Sequence, residues 1–269
     1  MNRLKDFISK TYVYFILIIT YIPLMFALVF SFNTTSKRGA LSFQWNQFTD
    51  KAWTTFFAET RGIALVNSLI IASATAIITV LISLITVFAL WKQKNKIYEN
   101  ATKSTYSITM INPDVITAIG LVLVYSLIFS TLAITNEGMI RAIVGHCVIA
   151  LPYAISIMHP ASQKFNRNLF EASQDLGYSK FQTWFKVYLV HMAWPCVFAA
   201  IVAIFFSMDD FIITRLVSNT STLGTKLYES SFRAWGLVVG SVLMLLSLSG
   251  TFIYVIVKWK KEKANAKIS

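Results

Sequence analysis

The sequence predicts an all-α integral membrane protein with six transmembrane helices and with both termini in the cytoplasm. Of its 269 residues, 56% are apolar and only 13% are charged, whereas soluble domains carry about 25% charged residues. The mean hydropathy is +0.61, and the apolar residues gather into runs separated by charged segments. Most basic residues fall between alternate runs. A single membrane domain over residues 1–269 is therefore expected.

Six apolar runs approach the roughly 20 residues that a helix needs to cross a bilayer. Their expected bounds are Tyr12–Phe32, Ile63–Trp91, Thr105–Leu132, Met139–Ala161, Leu189–Met208 and Gly236–Trp259. The third run contains Asn112 and Pro113, where a break is expected because proline cannot donate a helical hydrogen bond. The first run is too long for a cleaved signal segment and should remain as an anchor.

Lys and Arg set the expected orientation, because cytoplasmic loops are enriched in them. With the N-terminus inside, 16 of the 24 basic residues fall in inner segments and eight in outer ones. The net charge of +12 then reflects topology, which argues against nucleic-acid binding. Two long outer segments, Asn33–Gly62 and Asp209–Trp235, and one long inner loop, Ser162–Tyr188, are expected.

Neither a catalytic group nor a metal site is predicted. His146, His159 and His191 lack the spacing of metal ligands, so structural roles are expected for them. A phosphate-binding loop requires Gly-Lys-Ser/Thr, and none of the ten glycines precedes a lysine. The chain is therefore expected to bind no cofactor, to catalyse no reaction and to leave ATP hydrolysis to another polypeptide.

The inner loop, residues 162–188, carries capping signals. Asn168 followed three residues later by Glu171 predicts a capping box for a short helix over Leu169–Leu176. Gly177 suits the left-handed turn that ends such a helix.

A second capping-box pattern, Ser179 with Gln182, predicts another helix that could run into the fifth span. The two short helices would expose four apolar side chains, namely Phe170, Leu176, Phe181 and Trp184. Such a surface needs a cover. Packing against the protein's own helix ends and docking into a groove of a partner protein are both open.

The same loop contains a spaced pattern: Glu171-Ala172-Ser173, three further residues, Gly177, nine further residues, and Val187-Tyr188-Leu189. This pattern resembles the EAA motif of ABC importer permeases, which reads Glu-Ala-Ala, three residues, Gly, nine residues, Ile-x-Leu-Pro. Ser173, Val187 and Val190 replace Ala, Ile and Pro. The resemblance implies a type I importer permease fold.

The resemblance also implies a role for each matched residue and a set of partners. The loop would be the coupling helix seated in a cleft of an ABC ATPase subunit. Glu171 would cap or pair at that interface, Ala172 would allow close approach, and Gly177 would make the turn. The implied complex holds an ATPase dimer with ATP-Mg, a second homologous permease and an extracytoplasmic substrate-binding protein, in a prokaryotic cell membrane.

Shorter patches resemble the permeases of this family that serve spermidine/putrescine import. These patches are Ser31-Phe32-Asn33, Asn112–Ile116, Leu151–Ala154 and Phe206–Phe211, of which the first is common to the wider family. A small cationic solute is then the expected cargo, and another small solute is the alternative. A secondary transporter working alone and a membrane enzyme are less favoured, because neither explains the motif.

Three carboxylates, Asp114, Asp209 and Asp210, lie in or beside apolar runs. Charged side chains there are costly and point to a transport path, although helix capping by Asp114 and a solvated helix end at Asp209 and Asp210 are equally simple explanations. Aromatic faces suit cationic solutes. The aromatic candidates for the path are Tyr125, Tyr153 and Trp235.

Overall fold

The computed structural model describes residues 2–36, 40–57, 60–93, 95–129, 138–229 and 233–265. Every regular element within these ranges is helical, which confirms the all-α class. In chain order the helices are α1 (Asn2–Phe30), α2 (Lys51–Thr54), α3 (Arg61–Gln93), α4 (Lys96–Ile111), α5 (Asp114–Phe129), α6 (Gly138–Gln163), α7 (Arg167–Asp175), α8 (Lys180–Thr183), a π-helical turn (Trp184–Tyr188), α9 (Leu189–Asp209), α10 (Ile212–Val217), α11 (Leu223–Glu229) and α12 (Ala234–Asn265).

Within the described ranges, three continuous helices are long and apolar enough to cross a membrane: Arg61–Gln93, Gly138–Gln163 and Lys180–Asp209. The pair α4 and α5 adds a fourth if the two helices together form one span. Shorter apolar stretches, Ile18–Phe30 and Ala234–Gly250, lie in α1 and α12. Six spans and cytoplasmic termini remain predictions.

Helices extend beyond the apolar runs that predicted them. The first helix begins at Asn2 and not at Tyr12, and the last ends at Asn265 and not at Trp259. Hydropathy marks only the apolar part of a helix, whereas backbone hydrogen bonding continues through the polar flanks.

The chain divides into two compact units, of which the first comprises residues 1–62 and 230–269. In it, α12 packs against α1 and α2. The segment after α1 is pinned by the buried side chain of Asn33, which donates to the carbonyl of Gln44 at 2.8 Å and accepts from the amide of Asn46 at 2.9 Å. The indole of Trp53 donates to the hydroxyl of Ser31 at 3.0 Å. The described residues 33–36 and 40–53 of this predicted outer segment are thus held by side-chain hydrogen bonds.

The second unit comprises residues 63–229, and its long helices α6 and α9 pack against each other. One end of this pair holds an apolar core built around Tyr188, Met158 and Val87, all fully buried. The hydroxyls of Tyr188 and Ser162 lie 2.7 Å apart. The indole of Trp91 donates to a backbone carbonyl at 3.2 Å. This core fixes the end of the helices to which the loop α7–α8 is attached.

The third apolar run breaks at Pro113, as expected, and forms two helices that point in different directions. Asn112 is extended (φ −70°, ψ 129°), as the residue before a proline prefers to be. The two helices that flank Pro113 differ in direction by 108°. The first of them already begins at Lys96, and predicted helical residues 130–132 lie outside the described ranges.

The predicted outer connection Asp209–Trp235 contains regular structure in its described residues 209–229. It contains α10 and α11, and α10 packs against α5 and α6. Ile213 and Thr214 are fully buried. A methyl group added at Gly145 on α6 would lie 2.6 Å from the side chain of Ile213. The short apolar sequence after Asp210 therefore folds back against the long helices.

Candidate functional site

A cavity of about 210 Å³ opens beside the end of α9. It brings together the three carboxylates that the sequence singled out, Asp114, Asp209 and Asp210. The remaining lining residues are His146, Ile149, Phe206, Ser207, Phe211 and Ile212. The helix α5 starts directly after the helix break at Pro113, and α9 ends just before the short helix α10. Two helix ends therefore meet at this cavity.

Asp210 is the most constrained of the three carboxylates, with only 11% of its side chain exposed. Its Oδ1 accepts from the amide of Ile213 at 3.2 Å, and its Oδ2 accepts from the amide of Thr214 at 3.1 Å. The Thr214 hydroxyl and His146 Nε2 also approach Oδ2, at 3.4 and 3.1 Å. Asp210 lies one residue before the N-cap Phe211 and thereby satisfies two of the free amides at the start of α10.

His146 completes this arrangement from α6. Its Nδ1 lies 2.6 Å from the hydroxyl of Ser207, and its Nε2 lies 2.8 Å from the hydroxyl of Thr214. A proton on Nε2, donated toward Asp210, with Nδ1 accepting from Ser207 satisfies these contacts. The expected structural role of His146 is confirmed by its burial and partners, but its place in the cavity was not foreseen.

Asp114 and Asp209 differ from Asp210, because both are exposed. Among the described residues, neither carboxylate has a hydrogen-bond or ion-pair partner. Asp114 is the first residue of α5, and Asp209 is the last residue of α9. Capping of α5 and a solvated helix end, the simpler alternatives, account for their positions but leave both carboxylates facing the cavity.

The three aromatic candidates do not form one surface. Tyr153 lies beside Phe206 of the cavity wall, with ring centroids 4.4 Å apart. Tyr125 is buried and donates its hydroxyl to the carbonyl of Arg141 at 3.1 Å, and it is not part of the lining. Trp235 belongs to the first unit, where it is buried.

The first helix of the inner loop is shifted from its predicted position. It spans Arg167–Asp175, and its N-cap is Asn166, whose side chain accepts from the amide of Asn168 at 2.9 Å. The predicted cap at Asn168 is therefore wrong, because the residue two positions earlier offers the same side chain in an extended conformation. Glu171 instead accepts from Arg167 at 3.0 Å, one helical turn away.

The turn at Gly177 and the second capping box are confirmed. Gly177 has a φ of +88°, a value that residues with a Cβ rarely adopt. Its amide donates to the backbone carbonyl of Gln174 at 2.9 Å, and the amide of Tyr178 donates to the backbone carbonyl of Ser173 at 3.1 Å. This pair of bonds is that of a Schellman motif. The side chain and backbone of Ser179 exchange hydrogen bonds with Gln182, closing the capping box.

Some of the apolar side chains of the loop pack against the protein's own helix ends, and others stay exposed, as docking to a partner would require. Phe170 and Trp184 pack against Phe88 at the end of α3 and are only partly exposed. Leu176 and Phe181 remain 82% and 72% exposed. A cavity of about 490 Å³ lies between the loop and α3, with an aromatic wall and with Lys92, Arg167, Glu171 and Lys180 among its lining residues.

Ser173, which replaces alanine in the motif, joins the two short helices. Its hydroxyl donates to the hydroxyl of Thr183 at 2.8 Å, and Thr183 is fully buried. Glu171 and Ala172 stay on the exposed side of α7. The π-helical turn that follows α8 then leads into α9 without a break.

Comparisons with known proteins agree with the resemblance seen in the loop. A family model described as the inner membrane component of binding-protein-dependent transport systems matches residues 82–261. A spermidine/putrescine transport system permease protein PotC homolog of Mycoplasma genitalium is 32% identical, with 97% of this chain and 95% of the relative covered. The Mycoplasma pneumoniae homolog is 31% identical, with 98% and 94% covered. PotC of Escherichia coli K12 is 27% identical, with 78% and 76% covered.

Proposed function

The chain belongs to the family of binding-protein-dependent transport system inner membrane components, and we propose that it is the permease subunit of an ATP-driven importer for spermidine and putrescine. In this proposal the chain forms half of the translocation path and is not itself an enzyme. A second homologous permease supplies the other half. An extracytoplasmic binding protein delivers the cargo.

The observation that carries the cargo assignment is the cavity with three carboxylates. Intramembrane carboxylates are costly unless they serve a cationic solute or water, and Asp114, Asp209 and Asp210 line a single cavity. A polyamine has two or more ammonium groups on an apolar stem, which suits carboxylates beside the rings of Phe206 and Phe211. The names of the relatives support the same cargo.

The inner loop, residues 162–188, supports coupling to a separate ATPase dimer that holds ATP-Mg. Leu176 and Phe181 present exposed apolar side chains on either side of the Gly177 turn, and such a surface favours a protein partner. Glu171, Ala172 and Gly177 would lie in the interface. Movement of the docked ATPase would then reach the path through α9.

The proposed architecture is one transmembrane domain over residues 1–269, with six spans and both termini in the cytoplasm. The apolar stretches within α1 and α12, together with the three long helices and the bent pair, supply the required six apolar regions. The excess of Lys and Arg in alternate segments supports the orientation.

The test is uptake by proteoliposomes that contain the complex purified through a tag on this chain. Mass spectrometry should identify an ATPase and a second permease, and addition of the binding protein should give ATP-dependent uptake of spermidine and putrescine. Replacing Asp114, Asp209 and Asp210 together by Asn should lower uptake roughly tenfold or more, because the neutral cavity no longer offsets the cost of a polycation in a low-dielectric region.

Asp50→Asn is the matched control, because Asp50 is exposed, lies in the first unit and makes no side-chain cap. It should transport at the wild-type rate. An assembled complex that hydrolyses ATP but carries a different solute would contradict the polyamine assignment. Wild-type uptake by the triple variant would remove the three carboxylates from the path.

A further inference from the structure

We infer that the three carboxylates have two different roles: Asp114 and Asp209 contact the cationic cargo, whereas Asp210 is a positioning residue held by His146 and Thr214. Ser207 bonds the other ring nitrogen of His146, and these four residues together form a hydrogen-bonded clasp. The division of roles rests on the proposed function for its cargo part. The clasp itself rests on contacts within the chain.

The three carboxylates differ in the number of hydrogen-bond donors around them. Asp210 receives four donors, two of them backbone amides, on its two oxygens. These contacts are 3.1–3.4 Å long, and a cargo ammonium would have to compete with all four donors for the Asp210 carboxylate. Asp209, the preceding residue, has no such partner among the described residues and is exposed. A cargo therefore meets Asp209 at a lower cost than Asp210.

The clasp holds the end of α9 against its neighbouring helices. His146 belongs to α6, Ser207 to α9 and Thr214 to α10, so the clasp joins three helices where the chain reverses direction. Backbone packing is tight at the same point, because a methyl group at Gly224 would lie 2.8 Å from the carbonyl oxygen of Asp210. Such a junction leaves little freedom for the end of α9.

Asp209 is the last residue of α9. The C-terminal end of a helix carries a partial negative charge, which raises the local attraction for a cation. The clasp fixes the backbone one residue later and thereby fixes where the Asp209 carboxylate emerges. Asp114 faces the same cavity from the start of α5, so two exposed carboxylates on separate helices are available to a cargo with two ammonium groups.

The test labels carboxylates in the intact purified complex with a water-soluble carbodiimide and an amine, followed by peptide mapping. Asp114 and Asp209 should react, and Asp210 should react about tenfold more slowly because its oxygens are already hydrogen-bonded. Spermidine should slow the modification of Asp114 and Asp209. His146→Leu removes one donor and should raise the reactivity of Asp210 without changing that of Asp114.

Transport kinetics separate the two roles further, with adjacent residues as matched controls. Asp209→Asn should raise the KM for spermidine about fivefold, the size expected for one partly exposed ion pair, and should leave the maximal rate near wild type. Asp210→Asn should lower the maximal rate and leave KM unchanged. His146→Leu combined with Asp210→Asn should add little to either change alone, as groups in one network do, whereas its combination with Asp209→Asn should be additive.

Modification of Asp210 as fast as that of Asp209, protection of Asp210 by spermidine, or a raised KM for Asp210→Asn would each overturn the division of roles. The absence of spermidine protection at all three positions would overturn the cargo part together with the proposed function. The clasp would then still be tested by the carbodiimide reactivity of Asp210 in the wild type and in His146→Leu. That measurement requires no cargo.

Discussion

The cavity and the inner loop lie in the same unit but are built from contacts of very different range. In the cavity, His146 contacts Ser207 and Thr214, which are 61 and 68 residues away in the chain. In the loop, the hydrogen bond between Ser173 and Thr183 spans only ten residues, and the caps span two to five. The cavity therefore depends on how the long helices pack, whereas the loop folds largely from its own local signals.

The largest effect that this comparison predicts is on the cavity. Gly224→Ala places a methyl group 2.8 Å from a backbone oxygen of Asp210, and backbone yields less readily than a flexible side chain. We expect a loss of about 1–3 kcal/mol, as for overpacked cores, measured as a lower Tm of the purified chain. Hydrogen exchange in the loop, residues 167–183, should stay unchanged.

The control for this substitution is Gly120→Ala in α5, where an added methyl group has no neighbour within 4 Å. It should keep or raise the Tm, because alanine favours the helix. If both substitutions lowered the Tm equally, close packing of Gly224 against Asp210 would not explain the loss of stability.

A smaller effect is expected at the turn of the loop. Gly177→Val places a β-branched residue at a φ of +88°, which costs about 1–2 kcal/mol although the surrounding space is open. We expect weaker copurification of the ATPase and slower transport, with a Tm of the purified chain that falls less than in Gly224→Ala. Gly177→Asn, which tolerates a left-handed turn, should retain most of the copurified ATPase. If both variants lost the same amount of copurified ATPase, the left-handed conformation at position 177 would not be what the ATPase requires.

The smallest effect concerns the departure from the motif at Ser173. Ser173→Ala removes the hydrogen bond to Thr183 and leaves a buried hydroxyl unpaired, at a cost of about 1 kcal/mol. Amides of α7 and α8 should exchange about fivefold faster. Adding Thr183→Val should restore most of the protection, because it removes the unpaired group. Unchanged exchange in the single variant would mean that packing alone joins the two short helices.

The same difference in range explains how much the sequence could predict. Ser179, Gln182 and Gly177 were assigned correctly, because each acts through backbone groups a few residues away. The N-cap was misplaced by two residues, since Asn166 and Asn168 are equally good caps by type and only the backbone conformation separates them. The break at Pro113 was also predicted, because proline acts on its immediate neighbours.

The parts of the site that depend on distant packing were not predictable in this way. The sequence could mark Asp114, Asp209 and Asp210 as unusual for their apolar surroundings, but it could not show that they line one cavity. The isolated position of His146 in the sequence predicts a structural role, but local spacing cannot identify a partner 61 residues away. The helix α10 is likewise not predicted, because a stretch of six residues, Ile212–Val217, after an acidic pair resembles an ordinary loop.

The helical segment Lys180–Asp209 runs 30 residues without a break, from the second capping box of the inner loop to the last residue before the clasp. At about 1.5 Å per residue this segment is roughly 45 Å long. The inner loop and the cavity therefore lie at opposite ends of one continuous helical segment. Its irregularities are the wide π-helical turn at Trp184–Tyr188 and a proline at position 195. An axial push at the loop would reach Asp209 directly. A twist would be partly absorbed at these two points, since each locally alters the regular hydrogen-bond ladder.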